Sequence, residues 1–153
     1  MAGQAQPGQF VARLRNLASE LPLPQILPPP QVGFARRIDA IADIRVLAKE
    51  FRNCLMDYAR QIDGGVCAIY LWGDPAKPAA CRVMRNGRLG WSLSEALGPG
   101  NAVLDTQQLQ QITTAFANAG IPHKSVICAL ESILQADCTT RPGTRRRRQR
   151  DLE

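Results

Sequence analysis

Cys54, Tyr58 and His123 are the residues whose types could carry covalent or proton-transfer chemistry in this chain. Cys54 stands in Asn53-Cys54-Leu55-Met56-Asp57-Tyr58, and a thiol nucleophile there needs a base within hydrogen-bond reach. His123 is the one histidine of the chain, so it is the candidate base, and Tyr58 is the other polar partner close by in sequence. This set defines one expectation, a thiol-based enzyme or redox-responsive protein centred on Cys54. The competing expectation is structural. Cys54 adjoins Leu55 on an apolar stripe, which favours a packed thiol. His123 sits in Pro122-His123-Lys124, in the first turn of a helix, where an imidazole is ordinarily solvated. Three and four residues on from it are Val126 and Ile127, so it has no helical partner for a metal ion.

The remaining cysteines, Cys67, Cys81, Cys128 and Cys138, bring the number to five, widely spaced and without a C-x-x-C pair. They are expected to be reduced, and Cys67, Cys81 and Cys128 to be buried in apolar patterns. No metal site and no cofactor is expected. The glycines at 98 and 100 lack the following Lys and Ser/Thr of a phosphate loop. Asp57, Asp63, Asp74 and Glu95 are the carboxylates of the central segment, and no two are spaced to guarantee convergence for acid–base work.

Arginine offers a different chemistry. Arg141, Arg145, Arg146, Arg147, Arg148 and Arg150 are opposed only by Asp151 and Glu153, so residues 141–153 hold +4 of the formal +6 of the chain. Like charges repel, and nothing apolar offsets the entropy of ordering such a block, so a disordered basic tail is expected. Guanidinium forks bind phosphates and displace counterions, giving salt-sensitive affinity for nucleic acid or another polyanion. A solubilising tail has the same composition. Arg82 and Arg88 flank Asn86-Gly87 with Trp91 nearby, a basic and aromatic face suited to single-stranded nucleic acid, although charged residues are also ordinary on the open face of a sheet.

The elements that position these residues follow from periodicity. Phe10, Leu14 and Leu17 mark a short N-terminal helix, ended by a stretch with five prolines from Pro22 to Pro30. This stretch reads as a stiff spacer, or as a ligand for a proline-recognising partner. Ile38, Ile41, Ile44, Leu47, Phe51, Leu55, Tyr58 and Ile62 predict a helix over 36–62, closed by Gly64-Gly65. Residues 66–72, 80–85 and 88–93 predict a three-stranded antiparallel meander with a hairpin at Asn86-Gly87. Helices follow over 105–119, capped at Asp105-Thr106 with Leu109, Ile112, Ala115 and Phe116 inward, and over 124–136, with Val126, Ile127, Leu130, Ile133 and Leu134 inward. The expected fold class is α+β, with an N-terminal helix and spacer over 1–30, a core domain over 31–138 and the basic tail over 139–153.

An apolar fraction of 45% in 153 residues excludes wholesale disorder and leaves room for one domain. No apolar run reaches the roughly 18–20 residues that cross a bilayer, and the first residues lack the basic start and apolar block of a signal peptide. A soluble, cytoplasmic protein is expected.

The run from Asn53-Cys54-Leu55-Met56-Asp57-Tyr58 through Gly64-Gly65 and Ile69-Tyr70-Leu71 to Gly98, Gly100 and Asn101 resembles the PcfJ-like proteins of conjugative plasmids and other mobile elements. That family carries a His-Cys-Val-x-x-Tyr type motif at the end of a helix, then a glycine, a strand, an alternating strand and a loop with Gly and Asn. The likeness spans 44–121, about half the chain. Asn53 stands where the family has histidine, and the glutamine that the family places before the glycine loop has no equivalent. The resemblance implies a bacterial accessory protein linked to mobile DNA and supplies no activity to carry over. The leading expectation is therefore a non-enzymatic binding module that contacts nucleic acid or another polyanion through its arginines. The alternatives are the Cys54-centred enzyme and a protein-binding domain that uses the N-terminal helix and proline segment.

Overall fold

The computed structural model describes residues 27–139 together with Arg13. Apart from Arg13, the predicted N-terminal helix lies outside the described residues, as do most of the proline stretch and the arginine tail. The described chain forms five strands, β1 (Gln31–Val32), β2 (Ala35–Ile38), β3 (Cys67–Trp72), β4 (Ala79–Arg85) and β5 (Trp91–Leu97). They make one antiparallel sheet in sequence order. Four α-helices accompany it: α1 (Ile41–Phe51), α2 (Ala59–Asp63), α3 (Thr106–Asn118) and α4 (Lys124–Thr139). The α+β class holds, but the meander has five strands rather than three.

Of the two extra strands, β1 lies before the segment read as helix and β2 falls at its start. Ile38 falls in step with Ile41 and Ile44, which makes the helical stripe look continuous. Gly33, at φ +54°, instead turns the chain into β2, which pairs with β3 from Ala35↔Trp72 to Ile38↔Ile69. Pairing satisfies the backbone of Arg36 and Arg37 while Ala35 and Ile38 are buried on opposite faces. Helix α1 then starts after Ala40, which supplies no side-chain cap, and Asp43 falls inside the first turn. The helix also ends early. Arg52 adopts φ 50° and ψ 51°, its N–H bonding back to the carbonyls of Ala48 and Lys49. Asn53 and Cys54 are therefore not helical, and the chain resumes as a 3₁₀ turn over Leu55–Tyr58 before α2.

Asn86-Gly87 does not make the expected two-residue hairpin. Gly87–Leu89 form a 3₁₀ turn inside a longer connection, closed by Asn86 N–H to the Gly90 carbonyl at 2.7 Å. The Asn86 side chain secures it, donating to the Met84 carbonyl and the Ser92 hydroxyl. Strand β5 consequently starts at Trp91 and runs four residues further than expected, to Leu97.

Both faces of the sheet are covered. Val32, Ala35, Ala68, Tyr70, Trp72, Cys81, Val83 and Leu93 pack toward Ile112 and Phe116 of α3 and toward Ile121. On the opposite face Ile38, Cys67, Ile69 and Ala80 pack toward Ile44, Leu47, Ala48 and Phe51 of α1 and toward Leu55. Tyr70 and Phe116 meet edge to face at 5.1 Å between ring centroids. Helix α3 begins as expected, with the Asp105 carboxylate accepting from the Gln108 N–H at 2.8 Å. Leu109 is exposed, however, and Gln108 is buried instead, donating to the Lys77 carbonyl at 2.6 Å. Helix α4 buries Ile127 but leaves Val126 and Ile133 exposed, so the inward face expected there is mostly absent from the core.

Pro28 to Pro30 are tied to the domain through their carbonyls. Pro28 is fully buried, its carbonyl accepts from the Arg37 guanidinium, and the Pro30 carbonyl accepts from the Arg37 N–H. The Tyr70 hydroxyl, reached through the sheet core, donates to the Pro29 carbonyl at 2.6 Å. Tyr70→Phe is expected to lower unfolding stability by about 1 kcal/mol, because it leaves a part-buried carbonyl unpaired. Urea titration of the two proteins checks this, with unchanged midpoints as the contrary result.

Candidate functional site

A pocket of about 270 Å³ opens on the α1 face of the sheet, where α1 has ended and its cover stops. Asn53, Cys54, Leu55 and Tyr58 form one wall, Ala80 and Arg82 of β4 with Glu95 and Leu97 of β5 form the floor, and Asn101 closes the rim. Just below the roughly 300–1,000 Å³ typical of ligand sites, it suits one ring system or one small polar group. Arg52 and Asn101 are the two non-glycine residues with positive φ among the described residues. One adjoins the pocket wall and the other lines the rim, so unusual backbone conformations shape both sides.

The floor depends on a β-bulge. Between the pairs Val83↔Leu93 and Arg82↔Glu95 the strand β5 carries one extra residue, Ser94. Two residues of β5 thus confront the single Arg82 of β4. The bulge also breaks the alternation of β5: Trp91 and Leu93 pack toward α3, whereas Glu95 and Leu97 enter the pocket on the other face.

Arg82 is the centre of the arrangement. Its guanidinium carbon lies 4.2 Å above the Tyr58 ring centroid, a cation–π contact. One terminal nitrogen reaches Ser94 Oγ at 3.4 Å and Glu95 Oε2 at 3.4 Å. Both contacts are long beside the roughly 2.7–2.9 Å of a charge-assisted hydrogen bond. Its Nε is buried and has no hydrogen-bond partner among the described residues. The side chain is 20% exposed and that of Glu95 is 42% exposed. The cation is therefore partly desolvated, oriented by an aromatic ring and only loosely engaged by its acceptors.

The structure brings three sequence candidates, Cys54, Tyr58 and Arg82, into this pocket and leaves the others elsewhere. His123 precedes α4, bonded to Ser125 Oγ at 2.9 Å and grouped with Thr106, Leu109, Gln110 and Thr113 near α3. It thus belongs to the face opposite the pocket. Arg88 lies in the 3₁₀ turn rather than on a strand, so it is not the cross-strand neighbour of Arg82; Glu95 is. Arg145, Arg146, Arg147, Arg148 and Arg150 lie outside the described residues. Sequence reasoning missed the pairing of Arg82 with Glu95. Both residues were visible as charges, but the bulge that aligns them has no signature in the composition of β5.

The cysteines separate into two kinds. Cys54 and Cys128 are exposed and Cys67 and Cys81 are buried, so Cys54 is not the packed thiol and Cys128 not the core residue that periodicity suggests. Burial pushes the Cys81 thiol up to about 12. It pushes Cys67 up to about 11, with the nearby Arg82 charge acting in the opposite direction. Among the described residues no cluster of three His, Cys, Asp or Glu could hold a metal ion, and no helix is long and apolar enough to cross a membrane. Compared with known protein families, curated proteins and solved structures, the chain matches none.

These thiols lead to a paired expectation. With native protein at pH 8, a thiol reagent should modify Cys54 and Cys128 promptly and Cys67 and Cys81 only on unfolding, as peptide mapping by mass spectrometry would show. The two buried thiols have folded values above their unfolded value of 9.0, so the unfolded chain loses its protons first. Their contribution to stability is accordingly complete below pH 9 and declines as the pH rises from 9 toward 11 and 12. Tyr70, pushed up to about 12 by burial, acts in the same direction from pH 10. Melting temperatures that stay level to pH 11 would contradict this account.

Proposed function

We propose that the chain is a non-enzymatic binding module for single-stranded nucleic acid, of the accessory type found in mobile elements. Arg82 is the observation that carries this reading. It is a partly desolvated guanidinium on an aromatic ring, at the floor of an open pocket, with weak contacts to its own neighbours. Such a group is ready to exchange those contacts for the edge of a ligand. The six arginines after Thr140 would supply the sequence-independent attraction to phosphates, and the pocket would hold what projects from the backbone. The resemblance to PcfJ-like proteins supports the association with mobile DNA, since Cys54, Tyr58 and Asn101, which carry it, all line this pocket.

The thiol-based alternative has one observation in its favour, the exposure of Cys54 at the pocket wall. Against it, His123 is on the other face and no other imidazole exists in the chain. The protein-binding alternative relies on residues outside those described, apart from Pro28 to Pro30, whose carbonyls are engaged within the domain.

Binding of fluorescent single-stranded and double-stranded oligonucleotides across a salt series tests the proposal. The intact chain should prefer single strands and lose roughly a hundredfold or more in affinity between about 50 and 200 mM salt, with the slope falling when residues 141–153 are removed. Absence of binding at low salt, or a slope unaffected by the deletion, would refute it.

A further inference from the structure

We infer that the Arg82–Glu95 pocket selects guanine. This deepens, and rests on, the reading of the chain as a single-strand binder. The starting point is charge. Arg82 carries +1 and Glu95 carries −1 within the same small space, so the pocket has no net charge with which to hold a phosphate. A phosphate drawn to Arg82 would also confront the Glu95 carboxylate, which is 42% exposed. The pocket therefore favours an uncharged ligand that presents acceptors and donors side by side, and leaves phosphates to other arginines.

The order of groups then discriminates among bases. Arg82 Nη2 and Glu95 Oε2 are neighbours at 3.4 Å, and the bulge places them opposite one another on adjacent strands. Together they present an N–H donor followed by the two acceptor oxygens of one carboxylate. The complementary edge is one acceptor followed by two donors. Guanine has this edge, with O6, N1–H and N2–H in line, and an unstacked guanine in a single strand exposes it. Uracil has only one N–H on its pairing edge. Adenine, with N1 beside N6–H, and cytosine, with N3 beside N4–H, likewise offer one acceptor and one donor, which leaves the second carboxylate oxygen unmatched. Leu55, Ala80 and Leu97 supply apolar walls for a ring, and about 270 Å³ admits a base without a second one. The existing 3.4 Å contacts are long enough that exchanging them for shorter bonds to a base gives up little.

The test uses the full chain and eight-nucleotide oligouridylates, with or without one central guanosine, and the same pair in a deoxythymidine background. Guanosine should raise affinity about tenfold, the discrimination of one good bidentate contact, whereas adenosine at the same place should not. Glu95→Gln, which replaces an acceptor oxygen by a donor NH₂, should bring the ratio close to one, as should Arg82→Lys, which keeps the charge but removes the planar fork. In a separate titration, guanosine monophosphate should shift backbone amide resonances of residues 53–58, 80–84 and 93–97, and a dispersed amide spectrum certifies that each variant is folded. Equal, salt-sensitive binding with and without guanosine would overturn guanine selection and leave the single-strand reading standing. Retention of the preference in a folded Glu95→Gln protein would also overturn it. Failure to bind either oligonucleotide would overturn both.

Discussion

The whole arrangement depends on one sheet being buried on both faces. Strand β3 is the clearest expression of it: Cys67, Ala68, Ile69, Tyr70 and Trp72 are all at most 5% exposed, whichever face they occupy. A sheet of this kind needs two covering layers, whereas antiparallel sheets commonly leave one face to solvent. Helix α3 and the start of α4 supply one layer, and α1 with the 3₁₀ turn after it supplies the other. The second layer is the shorter. Once Arg52 has taken its left-handed conformation, the chain over Asn53 and Cys54 no longer follows the sheet closely, and the pocket is the space this leaves above β4 and β5.

That origin explains which parts of the molecule could be read from the sequence. The strands β3 and β4 were legible because their apolar content is high and local, and α3 because Asp105 and the Ile112–Phe116 stripe mark its start and its inner face. Strand β2 was hidden by coincidence of phase, since Ile38 fits a helical stripe and a strand equally well and only pairing with β3 decides. The 3₁₀ connection after Asn86 was hidden because the Asn86 side chain bonds to Ser92, a tertiary fact that outweighs the local preference for a two-residue turn. Helix α4 shows the reverse error. Its periodicity is amphipathic, but of its apolar stripe Ile127 is buried, Leu130 is half-buried and Val126 and Ile133 are exposed.

The candidate site was legible in pieces rather than as a whole. Cys54 and Tyr58 stood out as possible chemistry, Arg82 as a possible nucleic-acid contact, Glu95 as one carboxylate among four, and Asn101 through the family resemblance. Each belonged to a different line of reasoning. What unites them is a cross-strand register set by one inserted residue, Ser94, together with a helix that stops at Phe51. Neither is a property of any short window of sequence, because both are settled by which surfaces remain to be covered once the sheet has formed.

Energetics then argue that Arg82 contributes little to stability. Strand β4 otherwise places alanine, cysteine and valine in the core, and an arginine at its centre brings a desolvation cost that its partners only partly offset. A cation–π contact with Tyr58 contributes about 0.5–2 kcal/mol. The Glu95 contact is long and partly exposed, in the range where ion pairs contribute about 0–1 kcal/mol after screening. One buried nitrogen without a partner costs about 1–3 kcal/mol. These magnitudes nearly cancel, so the fold gains little from the guanidinium, and an apolar side chain of similar volume would serve the sheet as well or better. The core thus does not need this group, which is aimed into a pocket made by a bulge and a truncated helix and is the group that the proposed binding role would use.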